Sequence, residues 1–492
     1  MDNRPRSREK NVTGSAKTVK KRGDGLHTGP VGAGGRTSPG TDSPRPTRAR
    51  SGGGMKLIIL LAALLLGGGG GLGAFLSGQG SAPPAQPSPA AGQSVSQAAP
   101  SGGLNLGALL GGLQAGGGVS QGWQGEENTG HLNTDVDPAA REKRTRLLGD
   151  GRDTATIMVY MCGTDLESRS GMGTSDLQEM LAARFGEEIN LIVYTGGCSG
   201  WRNNQVSSSA NQIWQIKDSG LLCLEPDLGS VPMTDPSTLS GYIRYCAERF
   251  PASRYELIFW DHGGGAISGY GYDEKFASSG SMGLSGINTA LTDAGVTFDF
   301  IGFDACLMAT AENALMLSRH ADYLIASEET EPGVGWYYTN WLTDFGKNPS
   351  MSTAAVGKRI ADDFVDVCAQ KCPGQLTTLS VVDLCELEAT LPERLADFSR
   401  SASSLIASKQ YQTLSAARAH TREFAQSSRI DHVDLVHLAE NLEGKENKAL
   451  ADTLRSAVKY NRTSSNMTNA YGLSIYFPYQ KLGSVDKAVA AY

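Results

Sequence analysis

The chain reads as an α/β protein built on a mostly parallel sheet with helices on both faces, followed by a helical C-terminal part. Two short stretches predict the sheet. Residues 255–260 (YELIFW) and 298–303 (FDFIGF) are apolar runs rich in Ile, Leu and aromatics, the pattern of strands buried on both faces. The third observation is alternation. From residue 156 onward such runs recur with segments of helical length between them, which requires crossover connections and hence parallel neighbours.

Taken in order, 156–162 reads as the first strand. Residues 175–185 read as a helix, with Ser175 as cap and Gln178 completing a capping box. A strand at 190–194 ends at Gly196-Gly197. Residues 213–216 and 221–224 form a hairpin. Residues 235–250 form a helix capped by Asp235, with Pro236 at its first position. The 255–260 strand follows, then a helix over 282–294, the 298–303 strand, a helix over 309–318 and a strand over 323–327. Later come a helix at 352–370, a strand at 377–383, largely helical stretches at 387–406, 411–424 and 433–460, and a last strand at 473–477.

The part before residue 150 is different. The chain has 61 glycines in 492 residues, too many for one compact domain, and many lie before residue 125. Residues 1–54 are rich in Arg, Lys, Gly, Pro and Ser with almost no large apolar side chains. They cannot bury a core and read as a disordered basic tail. Within residues 55–76 the run from Leu57 to Leu76 is uncharged and mostly aliphatic, and it is preceded by Arg45, Arg48, Arg50 and Lys56. This reads as a transmembrane signal anchor with a cytoplasmic N-terminus and an extracytoplasmic body; the alternative is a cleaved signal peptide starting at Met55. Residues 77–135 are Gly-, Ser-, Ala- and Pro-rich, a flexible linker, and 150–492 form the folded domain.

Charge follows the same division. The first 56 residues carry 13 Lys/Arg against 4 Asp/Glu, a net +9, and since the whole chain carries −7 the remainder carries −16. An acidic body argues against nucleic acid as a partner of the folded part. The eight cysteines are irregularly spaced and do not form a small disulfide framework. Cys368 and Cys372 read as two thiols on one helix face rather than as a metal site. His320, His420, His432 and His437 read as helix or loop residues.

The chemistry gathers at two strand ends. One run leads into Asp261-His262-Gly263-Gly264-Gly265, the other into Asp304-Ala305-Cys306. In open α/β sheets sites form beyond the carboxyl ends of the strands. Neighbouring strands would deliver an imidazole and a thiol to one edge, the minimum for a cysteine nucleophile with a histidine partner. A free thiol is mostly protonated at neutral pH; a nearby imidazole and the N-terminus of the helix expected from residue 309 both favour the thiolate. The backbone N–H groups of Gly263 and Cys306 are the natural oxyanion donors. Asp261 is set aside, because adjacent strand residues point to opposite faces.

His262-Gly263-Gly264-Gly265 and Asp304-Ala305-Cys306-Leu307-Met308 resemble the catalytic motifs of the clostripain family of cysteine peptidases, which shares its fold with caspases, legumains and gingipains. IMVYMCGTDLES (157–168), SEETEPGVGW (327–336) and YGLSIYFPY (471–479) resemble it too, in the right order. The resemblance implies catalytic roles for His262 and Cys306 and cleavage of protein or peptide substrates after Arg or Lys. A basic P1 side chain needs a buried acid; Asp304 matches the residue with that role in the family, and the loop 328–331 offers a second acid. Trp336 would wall the pocket. Family members often cut themselves between the His and the Cys, and Lys275 is the one basic residue in that interval. Some relatives respond to Ca²⁺, but no EF-hand-like loop is present, so no cofactor is expected to be required and Ca²⁺ would act only as a modulator. Members of the family often continue further than this chain does. Three other readings stay open: a peptidase of different P1 preference, as in caspases or legumains; an inert surface binding module; and a cell-envelope protein whose stalk matters more than its domain.

Overall fold

A computed structural model describes residues 123–478, apart from 124, 126, 218, 219 and 429. The basic tail, the apolar stretch at 55–76 and most of the linker lie outside the described residues. Among the described residues no helix is long and apolar enough to cross a membrane.

The strands are β1 (Ala155–Cys162), β2 (Ile189–Gly196), β3 (Gln212–Lys217), β4 (Gly220–Glu225), β5 (Arg254–Trp260), β6 (Phe298–Asp304), β7 (Ala321–Ala326), β8 (Thr378–Asp383), β9 (His432–Asp434), β10 (Val458–Thr463) and β11 (Ser474–Tyr476). Nine of them form one sheet in the order β10-β8-β7-β6-β5-β1-β2-β3-β4, and β9 pairs with β11 apart from it. From β7 through β6, β5 and β1 to β2 every pairing is parallel, while β8 and β10 on one side and β3 and β4 on the other are antiparallel. The centre is thus the expected parallel sheet, and hairpin-type pairing is confined to its margins.

The helices are α1 (Thr164–Ser170), α2 (Met172–Ala182), α3 (Pro236–Arg249), α4 (Gly265–Ser268), α5 (Leu284–Ala294), α6 (Ala311–Leu317), α7 (Tyr338–Lys347), α8 (Thr353–Lys371), α9 (Leu384–Ala407), α10 (Tyr411–His420), α11 (Leu435–Glu440) and α12 (Lys445–Ala457). β1 shows why both faces are covered. Met158, Tyr160 and Cys162 enter one apolar cluster with α3, α5 and α9, whereas Ile157, Val159 and Met161 enter a second with α2, α7 and α8. Alternate side chains of one strand feed two cores, so the strand reads as a continuous apolar run.

Among the described residues a capping side chain starts five of the twelve helices. Asp235 caps α3 by accepting the N–H of Ser237 at 2.8 Å, with Pro236 first in the helix. Two expectations are corrected. Ser175 does not cap α2, which already starts at Met172 after Gly171 in the left-handed region (φ 65°). The Glu167 carboxylate of α1 takes the early N–H of Thr174 at 2.8 Å and does the work of the cap. Residues 433–460 are not helical throughout. They begin in β9 and end in β10, because Val433 and Tyr460 find strand partners in β11 and β8.

The linker boundary also moves. The Asn133 N–H donates to Lys459 O at 2.8 Å, and Asn128 O accepts from Thr463 N at 3.0 Å. Residues 127–135 therefore lie along the outer margin of β10 and cover a sheet edge that would otherwise stay open. Beyond them Arg141 pairs with Asp322 at 2.8 Å and Glu388 at 2.9 Å.

Candidate active site

Register brings the two motifs together. Trp260 pairs with Asp304 at the end of the β5–β6 ladder, and two residues further along each chain come His262 and Cys306. Both leave the carboxyl edge of the sheet. Only backbone fits between the two turns. A Cβ on Gly263 would collide with the carbonyl oxygen of Cys306 and stand 3.0 Å from its amide nitrogen.

Cys306 is fully buried, and its Sγ accepts the backbone N–H of Glu331 at 3.1 Å. The next residue, Leu307, has φ +68°, a left-handed conformation that side chains other than glycine and asparagine seldom adopt. Its N–H donates to Glu329 O at 3.2 Å. This turn interrupts the chain before α6, which starts at Ala311 with the Thr310 hydroxyl accepting Asn313 N–H at 3.1 Å. The expected aid from a helix starting near 309 is therefore corrected. Residues 307–310 intervene, and the N–H at the sulfur comes from the 327–331 loop.

His262 is 3% exposed. Its Nε2 lies 2.9 Å from Asp165 Oδ1, and the ring stacks on Tyr272 with centroids 5.6 Å apart and 24° between planes. The Tyr272 hydroxyl donates to the same Oδ1 at 3.1 Å. Burial pushes the Asp165 carboxyl up, but the bonds from His262 and Tyr272 and the nearby Arg169 outweigh it and leave the group below its ordinary range. Asp165 was not singled out in the sequence. The available signal was its place just beyond the end of β1, the strand beside β5.

Asp261 engages other partners. Its carboxylate accepts the Thr164 hydroxyl at 3.1 Å and the Tyr272 N–H at 3.0 Å, and burial pushes it up to about 6. Asp304 is fully buried and accepts the Trp336 N–H at 3.1 Å and the Tyr338 hydroxyl at 3.0 Å. Trp336 is itself fully buried against Gly302, where a Cβ would meet its ring at 2.7 Å.

The C-terminal part covers the thiol. Phe424, Ala425, Ile430, Met467 and Ala470 cluster with Cys306 and Leu307. The Ala425 N–H donates to the Glu329 carboxylate, and the Gly472 N–H to Glu328 at 2.8 Å. His432, on β9 rather than in a helix or loop, is fully buried beside Gly265 and the ring of Tyr476. Neither of its ring nitrogens has a hydrogen-bond partner among the described residues, and burial holds its pKa down at about 3.

Lys275 sits in a closed turn. Its N–H and that of Phe276 donate to Asp273 Oδ1 at 2.8 and 3.1 Å, and its ammonium donates to Ser208 O at 3.2 Å. Among the described residues no group of three or more His, Cys, Asp or Glu side chains is placed to hold a metal ion, and none of the cysteines forms a disulfide.

Comparison with known proteins points one way. The sequence pattern of the clostripain family matches residues 159–482. Clostripain of Hathewaya histolytica is 32% identical over 123 residues, 22% of this chain and 23% of its own length. In that alignment the chain spans about a quarter of the curated relative it matches. A secreted C11 cysteine protease from Bacteroides thetaiotaomicron, iotapain, has the same fold, with a TM-score of 0.53 at 16% identity over 69% of this chain and 99% of its own. An inactive zymogen C11 protease from Parabacteroides distasonis gives a TM-score of 0.48 at 20% identity, over 68% of this chain and 95% of its own.

Proposed function

This chain belongs to the clostripain family, and on that premise we propose that it is a cysteine endopeptidase cleaving after Arg or Lys through Cys306 and His262. The observation that carries the reading is the shared sheet edge, where His262 and Cys306 stand two residues beyond the paired Trp260 and Asp304.

In this reading His262 takes the thiol proton, and the Cys306 sulfur attacks the scissile carbonyl carbon. The negative charge on the carbonyl oxygen is met by the N–H groups of Gly263 and Cys306. The imidazolium returns its proton to the leaving amine, and water then hydrolyses the thioester with His262 again as base. Asp304 supplies the negative charge for a basic P1 side chain, with the 328–331 loop adding to the local negative potential. The buried Asp304 carboxylate two residues before the nucleophile supports this preference.

Self-processing after Lys275 belongs to the same proposal. The turn that ties Lys275 and Phe276 to Asp273 must open before that bond enters a site. A split after Lys275 in the parent, absent from Lys275→Ala and from Cys306→Ala, is the expected result. We place the reaction outside the cytoplasm, supported by the basic residues that precede the apolar stretch at 55–76.

The direct test is covalent. A peptidyl chloromethyl ketone ending in Arg should alkylate Cys306 and leave the other seven cysteines unmodified in a peptide map. Labelling that is absent, or spread over several thiols, contradicts the reading.

A further inference from the structure

Three neighbouring strands of the parallel sheet lead into Asp165, His262 and Cys306. β1, β5 and β6 are adjacent and parallel. Cys306 follows β6 and His262 follows β5, while Asp165 follows β1 in the first turn of α1. We infer that Asp165 is a positioning residue for the proposed reaction, holding the His262 imidazole with its proton on Nε2 so that Nδ1 receives the thiol proton. The inference rests on the peptidase reading above and adds to it a third member supplied by a separate strand.

The geometry is built rather than incidental. Asp165 Oδ1 takes two donors, His262 Nε2 at 2.9 Å and the Tyr272 hydroxyl at 3.1 Å, while Oδ2 faces Arg169 at 3.5 Å. A carboxylate can only accept, so the nitrogen facing it carries the proton. The opposite nitrogen then has the lone pair that accepts hydrogen from sulfur. Tyr272 stacks on the same ring and limits its rotation.

The backbone that aims Asp165 is strained. Thr164 has φ +46°, unusual for a β-branched residue. It is held there by its N–H to Gly197 O at 3.2 Å and by its hydroxyl to Asp261 Oδ1 at 3.1 Å. Asp261, next to His262 in sequence, thus fixes the turn that presents Asp165 to His262. Strain maintained by surrounding bonds is a mark of a site whose geometry is imposed. Asp165 is only 17% exposed on its side chain, so Asp165→Asn, which keeps its volume, separates loss of charge from loss of packing.

The experiment uses the full chain and its variants Asp165→Ala, Asp165→Asn and Tyr272→Phe. Ring ¹⁵N signals of His262, assigned with His262→Gln, report which nitrogen carries the proton, and a peptide reporter ending in Arg gives kcat and KM. We expect the parent to carry its neutral-form proton on Nε2 and Asp165→Ala to lose that preference. We expect kcat to fall about 10- to 100-fold in Asp165→Ala with KM within about twofold, and Asp165→Asn, which keeps an oxygen acceptor, to lie between. Unchanged ring signals in Asp165→Ala overturn the inference, and so does a loss confined to KM. If the parent cleaves nothing, the peptidase reading fails on that result alone, and the ring signals still decide whether Asp165 sets the tautomer.

Discussion

The backbone N–H of Ala425 donates to the Glu329 carboxylate at 3.1 Å, tying the cover over Cys306 to the acidic loop beside it. A hydrogen bond to a charged group contributes about 1.5–3 kcal/mol. Glu329→Ala should let the cover open more often. Cys306 should then react with iodoacetamide about 10-fold faster than in the parent, followed on the Cys306 peptide by mass spectrometry. Equal rates would show that the cover is held elsewhere.

Gly263 packs its Cα face against the Cys306 backbone, with no room for a Cβ. Gly263→Ala should push the two turns apart. A shift of about 1 Å at a reacting centre lowers rates about 100-fold, so kcat/KM on an Arg reporter should fall at least that much. The same substitution at Gly295, where nothing lies within 4 Å of the new Cβ but φ is +67°, should lower the melting temperature and leave kcat/KM within about twofold.

In the proposed reading Asp304 supplies the charge for a basic P1 side chain. Asp304→Asn keeps oxygen and nitrogen near Trp336 and Tyr338 but removes the charge. Charge-assisted hydrogen bonds are roughly twice as strong as neutral ones. Cleavage of Arg and Lys reporters should fall by at least about 10-fold in kcat/KM, while iodoacetamide still alkylates Cys306 at the parental rate. An unchanged preference would move the P1 role to another acid.

Glu312 links stability to pH. It is fully buried at the start of α6, accepts Tyr476 N–H at 3.0 Å, and burial pushes its carboxyl up from 4.5 to about 7. A folded pKa above the unfolded one means that the native state holds the proton more tightly. That stabilisation is fully present below pH 4.5 and is lost as pH rises through 7. At about 1.4 kcal/mol per pH unit, the full span corresponds to about 3 kcal/mol. The parent should melt at a higher temperature at pH 6 than at pH 8, and Glu312→Gln should narrow that difference. A difference unchanged in Glu312→Gln would assign the pH dependence to other groups.

The parallel centre of the sheet was legible because β1, β5 and β6 are buried on both faces and leave unbroken apolar runs. Asp235 and Pro236 gave α3 its start for a purely local reason. Features set by distant partners were hidden. Glu167 stands in for a cap at α2 through a side chain from the preceding helix, and Tyr460 is a strand residue only because β8 lies beside it. At the site, His262, Gly263, Cys306 and Asp304 stood out because each follows an apolar run. Asp165 meets the imidazole across 97 residues of chain, and only the strand order β1-β5-β6 brings it there. The cover built from Phe424 and Met467 was equally silent, since apolar residues in helical or loop segments read as core.

The most direct measurement compares the full chain with Cys306→Ala on peptide reporters ending in Arg, Lys, Asp and Asn. A cysteine endopeptidase of the proposed kind turns over the Arg and Lys reporters in the parent only and leaves the Asp and Asn reporters intact. Turnover that survives in Cys306→Ala would contradict the assignment of the nucleophile. Turnover of the Asp or Asn reporters in place of Arg and Lys would contradict the acidic P1 site built on Asp304.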